Sequence, residues 1–461
     1  MKKMILLLMI GLFLETSCKD KAPIIAPFPV EDPNADPAAF APPFTGVPAT
    51  KDIAMYEVNM RAFSSEGTFK GVQARLDSIK ALGINVLWLM PIHPIGVLRS
   101  AGGMGSPYSV KDYKAVNPEF GTLSDLQDLV KEAHNRNMSV IIDWVANHTA
   151  WDNAWVTTHP EWYSKDGSGN IIIPAGTNWN DVADLNFNNA EMRKEMIRAM
   201  KYWILKTNID GFRCDYADGV PTDFWKQAID SIKTLPNRKY VLLAEGSLRE
   251  QINAGFAMNY SWNFYDRIKT IYKNNLVTSS LFDVNQSEYA NFPTEGVKLR
   301  YITNHDQSAW EGSTIDLLNG KDGAMSAFVL ATYLGGVPLL YNGQEVGRAD
   351  RTPFFTRSAI NWNLNPDVLA TYKSLMAFRQ SSNAVKQGAL EPIHDQNVVI
   401  FKRIFQAEEV LVVVNISNAA FTYNLTSALA NTNWKNAFNN TPVTLTNSIS
   451  LPPYGYLILK K

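Results

Sequence analysis

Cysteine is nearly absent from this chain: its 461 residues include two, Cys18 and Cys214. Two thiols cannot build a disulfide framework or a Cys-rich zinc site. An excess of either charge is also missing, with 43 Lys and Arg against 44 Asp and Glu and a net charge of -1. That balance argues against nucleic acid as the main partner, because phosphate binding needs clustered Lys and Arg. The apolar run Met4 to Leu14 has 11 residues, well short of the roughly 20 of a membrane-spanning helix. No internal repeat of fixed period is found. What is present is a 46% hydrophobic, 19% charged composition with 12 Trp, 18 Tyr and 22 Phe, enough to bury a large core. At roughly 150 residues per domain the length suggests about three structural units.

The first residues read as an export signal. Lys2 and Lys3 supply a positive start, and Met4 to Leu14 has the length of a signal-peptide apolar region. Cys18, after Thr16 and Ser17, resembles a bacterial lipoprotein cleavage site, with Glu15 standing where that pattern prefers an aliphatic residue. The expectation is a signal peptide over 1–17 and a lipid anchor at Cys18, the only attachment to a membrane. An outer-membrane or cell-surface lipoprotein follows, with a periplasmic or secreted protein as the alternative. From Lys21 to Pro48 the chain carries eight prolines and no periodic apolar pattern, which prevents helix and sheet. Residues 18–50 are read as a Pro-rich linker, with an ordered arm lying on the domain as the other reading.

From Ile53 onward, apolar strand-like runs alternate with amphipathic helical stretches, the pattern of a parallel sheet with crossover helices. The expected strands are Ile53–Asn59, Asn85–Met90, Ser139–Trp144, Gly211–Asp215, Tyr240–Glu245, Gly255–Asn259, Lys298–Thr303 and Val337–Tyr341. Eight strands predict an α/β fold, a (β/α)8 TIM barrel over 51–381. A doubly wound open sheet would want a Gly-rich phosphate loop after the first strand, and Asn59-Met60-Arg61-Ala62 is not one. Thr122 to Asp125 opens a helix like a capping box, with apolar residues recurring at Leu126, Leu129, Val130 and Ala133. The crossover after the third strand is too long for a loop and predicts a small inserted subdomain over 149–188. Beyond it, Val398–Phe401, Val410–Val414, Phe421–Leu425 and Tyr456–Leu459 predict a C-terminal antiparallel β-sandwich domain over 382–461.

Barrel active sites form at the C-terminal ends of strands, and polar residues gather there. The third strand ends Asp143-Trp144-Val145-Ala146-Asn147-His148, the fourth reads Gly211-Phe212-Arg213-Cys214-Asp215, the fifth ends in Glu245, and the seventh runs into Asn304-His305-Asp306. Any one of these could be a cap or a satisfied buried polar group. Four at one rim suit chemistry that develops positive charge on carbon. Cleavage of a glycosidic bond needs one carboxylate as nucleophile and another as proton donor. Ligation of a divalent metal is the rival that spacing leaves open.

Those four segments resemble, in order, the short conserved regions of the α-amylase family, glycoside hydrolase family 13. Tyr108 to Tyr113 with Asn117 to Thr122, Asp184-Leu185-Asn186, and Gly336-Val337-Pro338 with Tyr341 to Glu345 resemble further family segments. The resemblance covers about Ile53 to Gln380. It implies a retaining hydrolase of α-1,4-glucosidic bonds in starch, maltooligosaccharides or related α-glucans, working through a covalent glycosyl-enzyme. In that reading Asp215 is the nucleophile, Glu245 the acid and base, and Asp306 the third carboxylate. Apolar neighbours such as Leu243 would raise the pKa of Glu245. Arg213 would keep Asp215 ionised, His148 and His305 would bind sugar hydroxyls, and Tyr108 would stack beneath the ring.

No cofactor is implied for catalysis. The family's structural calcium would use Asn147 and Asp184, but its usual Lys-His positions read Asp218-Gly219 here, which removes one usual backbone contact and a leaving-group lysine. Asp218 then either binds sugar hydroxyls or precedes the next helix. Cys214, alternating away from Arg213 and Asp215, is expected as a small buried residue. Trp151, Trp155, Trp162 and Trp179 in the insertion either stack on sugars or pack a small core. A transglycosylase of the same chemistry and a non-catalytic glucan-binding surface lipoprotein are the alternatives. The expected partner is an α-glucan polysaccharide or oligosaccharide, and the protein is expected to be a monomer.

Overall fold

Eight short parallel strands close on themselves in the computed structural model, which describes residues 35–274 and 278–461. They are β1 (Met55–Val58), β2 (Val86–Leu89), β3 (Ser139–Trp144), β4 (Gly211–Cys214), β5 (Val241–Ala244), β6 (Met258–Tyr260), β7 (Val297–Arg300) and β8 (Val337–Tyr341). Closure comes from β1, where Met55 pairs with Val86 on one side and Leu339 on the other. Side-chain alternation then divides each strand. Met55, Trp88, Ile141, Leu243, Tyr260 and Leu299 fill the interior, while Tyr56, Leu87, Ile142, Phe212 and Leu340 meet the surrounding helices.

Six of the eight strands are shorter than expected at their ends. The sixth begins at Met258 rather than Gly255, because Gly255 takes a left-handed φ of 112° and caps the helix Arg249–Ala254 instead. The seventh ends at Arg300, and Thr303 lies in the loop beyond it. The helix Leu123–Asn135 starts as expected. The Thr122 side chain accepts from the Asp125 N–H, Asp125 accepts from the Thr122 N–H, and Leu126, Leu129, Val130 and Ala133 are all buried.

The insertion after β3 is small. An antiparallel pair, His148–Ala150 with Val182–Asp184, carries a short helix Ala154–Thr158 and a turn of 3-10 helix at Pro160–Trp162. Behind the barrel, β9 (Ala389–Ile393), β10 (Val398–Phe405), β11 (Glu408–Asn415), β12 (Phe421–Asn424), β13 (Thr432–Asn436), β14 (Pro442–Leu445), β15 (Ser448–Leu451) and β16 (Tyr456–Lys460) form the antiparallel C-terminal domain. Six of them make one sheet in the order β9-β10-β11-β16-β13-β14, and β12 pairs with β15. Val398, Ile400, Leu411, Trp434, Ile449 and Leu451 lie between these layers. The opposite face of the large sheet, with Phe401, Val410 and Val412, joins the barrel's outer core.

One expectation needs correction. Residues 36–50, read as part of a solvated linker, lie against the barrel. Asp36 pairs with Lys201 at 3.0 Å, the Phe40 N–H donates to the Leu205 carbonyl at 2.7 Å, and Asn208 donates to the Pro42 carbonyl at 2.9 Å. The Phe44 ring stacks on His134 with centroids 4.1 Å apart, and Val47 enters the interior cluster beside Ile53 at the end where the strands begin. Proline forbids helix here but leaves carbonyls and rings free to dock, so the arm ties down the C-terminal end of the helix Ala190–Thr207 and floors the barrel. The expected signal peptide, Cys18 and the linker up to residue 34 lie outside the described residues. Among the described residues no helix is long and apolar enough to cross a membrane.

Gly211, the first residue of β4, holds φ at 150°, and a Cβ there would sit 1.9 Å from the Val241 carbonyl oxygen of β5. Gly211→Ala is expected to destabilise the fold by about 3 kcal/mol or more. Gly167→Ala, in open space with nothing within 4 Å, should leave the midpoint of thermal unfolding unchanged.

Candidate active site

The polar residues at the strand ends are organised around one cation. Arg213 projects inward from β4 and is 0% exposed. Its Nη1 donates to Asp143 Oδ1 and to Asp215 Oδ1, both at 2.8 Å. Nη2 lies 2.6 Å from Glu245 Oε1, an ion pair whose hydrogen is not aligned for a linear bond. Nε reaches the Tyr260 hydroxyl at 3.3 Å, and the guanidinium lies 5.1 Å from the centre of the Trp88 ring. Three carboxylates from β3, from just beyond β4 and from just beyond β5 thus share one guanidinium.

Each carboxyl is held differently. Burial raises Asp215 to about 6, with Arg213 opposing and Asp143 adding repulsion. Burial also raises Asp143 to about 6 against the pull of Arg213. Burial likewise raises Glu245, Arg213 opposes, and Asp215 and Asp306 repel its charge. Arg213 donates an aligned hydrogen bond to Asp215 but not to Glu245, so a proton shared by the cluster rests on Glu245 and leaves Asp215 ionised. Tyr216, immediately after Asp215, adopts a left-handed φ of 42° and turns its N–H to Glu245 Oε2 at 2.7 Å. Leu243, inward from β5 two residues before Glu245, is fully buried.

A second chain of contacts enters from the opposite wall. Tyr108 OH lies 3.0 Å from Asp143 Oδ2 and 2.8 Å from His305 Nε2. His305 Nδ1 lies 2.5 Å from Oε1 of Glu57, a buried carboxylate on β1, and Nε2 is 3.4 Å from Asp306 Oδ2. Asp306 is itself partly open to solvent. His148 is buried beside Trp179 and is pushed down to about 4 by burial, so its ring is neutral.

These groups open into a cavity of about 510 Å³, lined by Tyr108, His148, Asp215, Glu245, His305 and Asp306. Trp179, Tyr216, Trp262, Trp310, Phe354 and Phe355 complete its walls. Arg213 and Asp143 lie beneath this surface. Sequence reasoning singled out Asp215, Glu245, Asp306, His148 and His305 of the lining, but not Asp181, which also faces the cavity. It missed Glu57, whose only signal was a charge inside the apolar strand Met-Tyr-Glu-Val. It also missed Trp262, at the start of the helix Trp262–Asn274, Trp310, in the π-helical turn Gln307–Glu311, and Phe354 and Phe355, in the loop after β8.

The four tryptophans of the insertion divide. Trp179 faces the cavity, Trp151 lies under the Arg99 guanidinium, and Trp155 and Trp162 pack against each other with centroids 5.1 Å apart. Cys214 is buried and faces outward as expected. Asp218 lines nothing: it accepts from the Ser247 N–H at 3.1 Å and from Gln251 at 2.5 Å, which ties two rim loops together. Asn147 and Asp184, the candidate calcium ligands, belong to the two strands' ends of the insertion, and the Asn147 amide contacts His148 Nδ1 at 3.3 Å. Calcium needs six to eight oxygens. Among the described residues no three His, Cys, Asp or Glu side chains converge as a metal site, and the Asn147 oxygen and Asp184 carboxylate supply only two of the side-chain ligands calcium would need.

The sequence matches the family described as alpha amylase, catalytic domain, over residues 31–169 and 176–387. Residues 389–458 match the maltogenic amylase C-terminal domain. The chain is 25% identical to alpha-amylase 3 of Dictyoglomus thermophilum, over 90% of this chain and 94% of that protein. A maltogenic alpha-amylase of Thermotoga neapolitana superposes with a TM-score of 0.81 at 29% identity, covering 90% of this chain and 99% of that one. An alpha-amylase of Lactobacillus plantarum superposes with a TM-score of 0.80 at 28% identity, with the same coverage.

Arg213→Met would strand three buried carboxyls without their cation. The expected loss is about 3–5 kcal/mol of stability. Because protonation relieves that repulsion, the deficit in chemical denaturation should be larger at pH 8 than at pH 5.

Proposed function

The chain belongs to the α-amylase family, and we propose that its site hydrolyses α-1,4-glucosidic bonds by double displacement, with Asp215 as nucleophile and Glu245 as acid and base. The enzyme is a glycosidase, and its substrates are α-glucans such as starch and maltooligosaccharides. The observation that carries the reading is the Arg213 fork, which holds Asp215 and Glu245 on one guanidinium. Retaining chemistry requires two carboxyls about 5–5.5 Å apart. Glu245, the carboxyl that takes the proton first, donates it to the departing sugar oxygen. Asp215, ionised beside Arg213, attacks the anomeric carbon from the other face. The N–H of Tyr216 then supports Glu245 as it becomes anionic, and in the second step Glu245 takes a proton from water. Asp306, at the open side, meets the hydroxyls of the distorted, charge-developing ring.

Tyr108 supplies the ring beneath the sugar, and the neutral His148 binds its hydroxyls on the wall that His305 shares. The aromatic walls suit a neutral substrate whose apolar faces stack on indole and phenyl rings. Catalysis needs no cofactor, and no step is assigned to a metal. The N-terminal pattern of Lys2, Lys3, Met4 to Leu14 and Cys18 supports export and a lipid anchor at Cys18, at the cell surface or outer membrane, as part of this proposal.

Asp215→Asn should lower kcat on maltooligosaccharides roughly a thousandfold or more, and unchanged cleavage would refute the mechanism. Glu245→Gln should slow natural glucans far more than maltosyl fluoride, whose leaving group needs no proton. Proton NMR of fresh digests should show the α-anomer first. Products longer than the substrate at high concentration would identify a transglycosylase instead. Dialysis against a chelator should leave the rate unchanged, and abolition of activity would favour a metal-dependent hydrolase.

A further inference from the structure

Glu57 has no part in the two-carboxylate chemistry, yet it is fully buried at the centre of the barrel. Its Oε1 lies 2.5 Å from His305 Nδ1, and its other oxygen has no hydrogen-bond partner. The hydrogens around His305 can be counted. Tyr108 has one hydroxyl hydrogen, and Asp143 Oδ2 also draws on the Trp88 indole N–H at 3.2 Å, as an acceptor. If Tyr108 donates to Asp143, its oxygen must accept from His305 Nε2 at 2.8 Å. Nδ1, facing a carboxylate, must donate as well. Both ring nitrogens then carry hydrogen.

We propose that Glu57 is a positioning residue that fixes His305 as a doubly protonated, cationic donor to the Tyr108 hydroxyl at the sugar-binding face of the site. An imidazolium donates from both ends and gives shorter, stronger hydrogen bonds to hydroxyls than the neutral ring. Left alone, its charge would oppose the cationic sugar that the reaction forms. The Glu57 carboxylate cancels that charge from behind, so the pair is neutral as a whole and the donor strength remains. The groups around the ring agree with this assignment. Glu57 faces it from β1, Tyr108 from the loop after β2, and Asp306 from its own loop, with Asp143 and Arg213 behind Tyr108. The Trp88 ring edge and Phe354 close the remaining sides. Tyr260 and Tyr341, near Glu57 from β6 and β8, are held neutral by burial. Burial alone would lower His305, but Asp306 and Glu57 overcome it and raise the imidazole to about 9. That shift sets the sign: the pair's contribution is complete below the unfolded value near 6.5 and is lost as pH rises through about 9.

The proposal rests on Tyr108 and His305 forming the sugar-binding face of the cavity, and the two can fail separately. The chain has six histidines, so 15N-histidine spectra of the wild-type protein can follow His305, assigned by its loss in His305→Gln. The expected result is an imidazolium signal that persists at pH 8. A neutral His305 at pH 7, with hydrogen on Nε2 alone, overturns the assignment whatever the enzyme's activity. In Glu57→Gln the same signal should turn neutral by pH 7. The alkaline limb of kcat/KM should move down by about one pH unit or more, with activity recovering toward wild type at pH 5. Glu57→Asp should keep the wild-type limb. A Glu57→Gln profile that is lowered uniformly, without a moved limb, marks a packing role only and refutes the proposal.

Discussion

A buried guanidinium without solvent must be surrounded by negative charge, and this constraint shapes the whole catalytic end of the barrel. Arg213 stands inside the strand cylinder, where desolvation penalises a lone cation by several kcal/mol. Asp143, Asp215 and Glu245 answer it from three neighbouring strands. The dependence is mutual, because those carboxyls would otherwise be buried anions in repulsion. One positive charge among three acids cannot neutralise them all. The surplus leaves the cluster able to hold a proton near neutral pH, and the uneven distribution of contacts decides which carboxyl holds it.

The rest of the site follows from that arrangement. Asp143 spends its second oxygen on Trp88 and Tyr108, which extends the cluster to His305 and then to Glu57 on β1. A polar seam therefore runs from β1 through β3, β4 and β5 across a barrel whose other interior positions are mostly apolar. Below the seam, Met55, Ile141, Leu243 and Leu299 pack the cylinder, and the arm residues Phe44 and Val47 close its floor. Above it, aromatic rings from the insertion and from the segments after β6, β7 and β8 define a cavity suited to a neutral sugar chain. The Trp310 ring is 56% exposed, which an apolar residue sustains more readily where a ligand covers it.

The parts of the fold that a sequence exposes are those governed by short-range rules. The capping box at Thr122 and the 3.6-residue spacing of Leu126, Leu129, Val130 and Ala133 depend on local geometry, and the helix is where they place it. Buried parallel strands are continuous apolar runs, so β3 and β8 match their expected limits. Other elements obey longer-range forces. Strands β13 and β14 alternate Thr, Asn, Lys and Trp with one buried face, and their pattern is too weak to read without the sheet they join. The arm at 36–50 has the composition of a solvated linker, and only the end of the helix Ala190–Thr207 and the open barrel floor give it a partner.

By itself the sequence pointed to the barrel, an insertion and a C-terminal β domain, and to Asp215, Glu245, Asp306, His148, Arg213 and His305 as a polar cluster at strand ends, with Tyr108 added by the resemblance to the α-amylase family. Carboxylates and imidazoles at the ends of apolar strands are costly unless they serve a purpose, and that cost is visible residue by residue. Only the tertiary structure decided how they interact. Glu57 and His305 are separated by 248 positions, and no local rule joins them. The protonation order of the carboxyls, the hydrogens on His305 and the aromatic walls of the cavity all depend on burial and through-space distance. Those quantities exist only once the strands have closed.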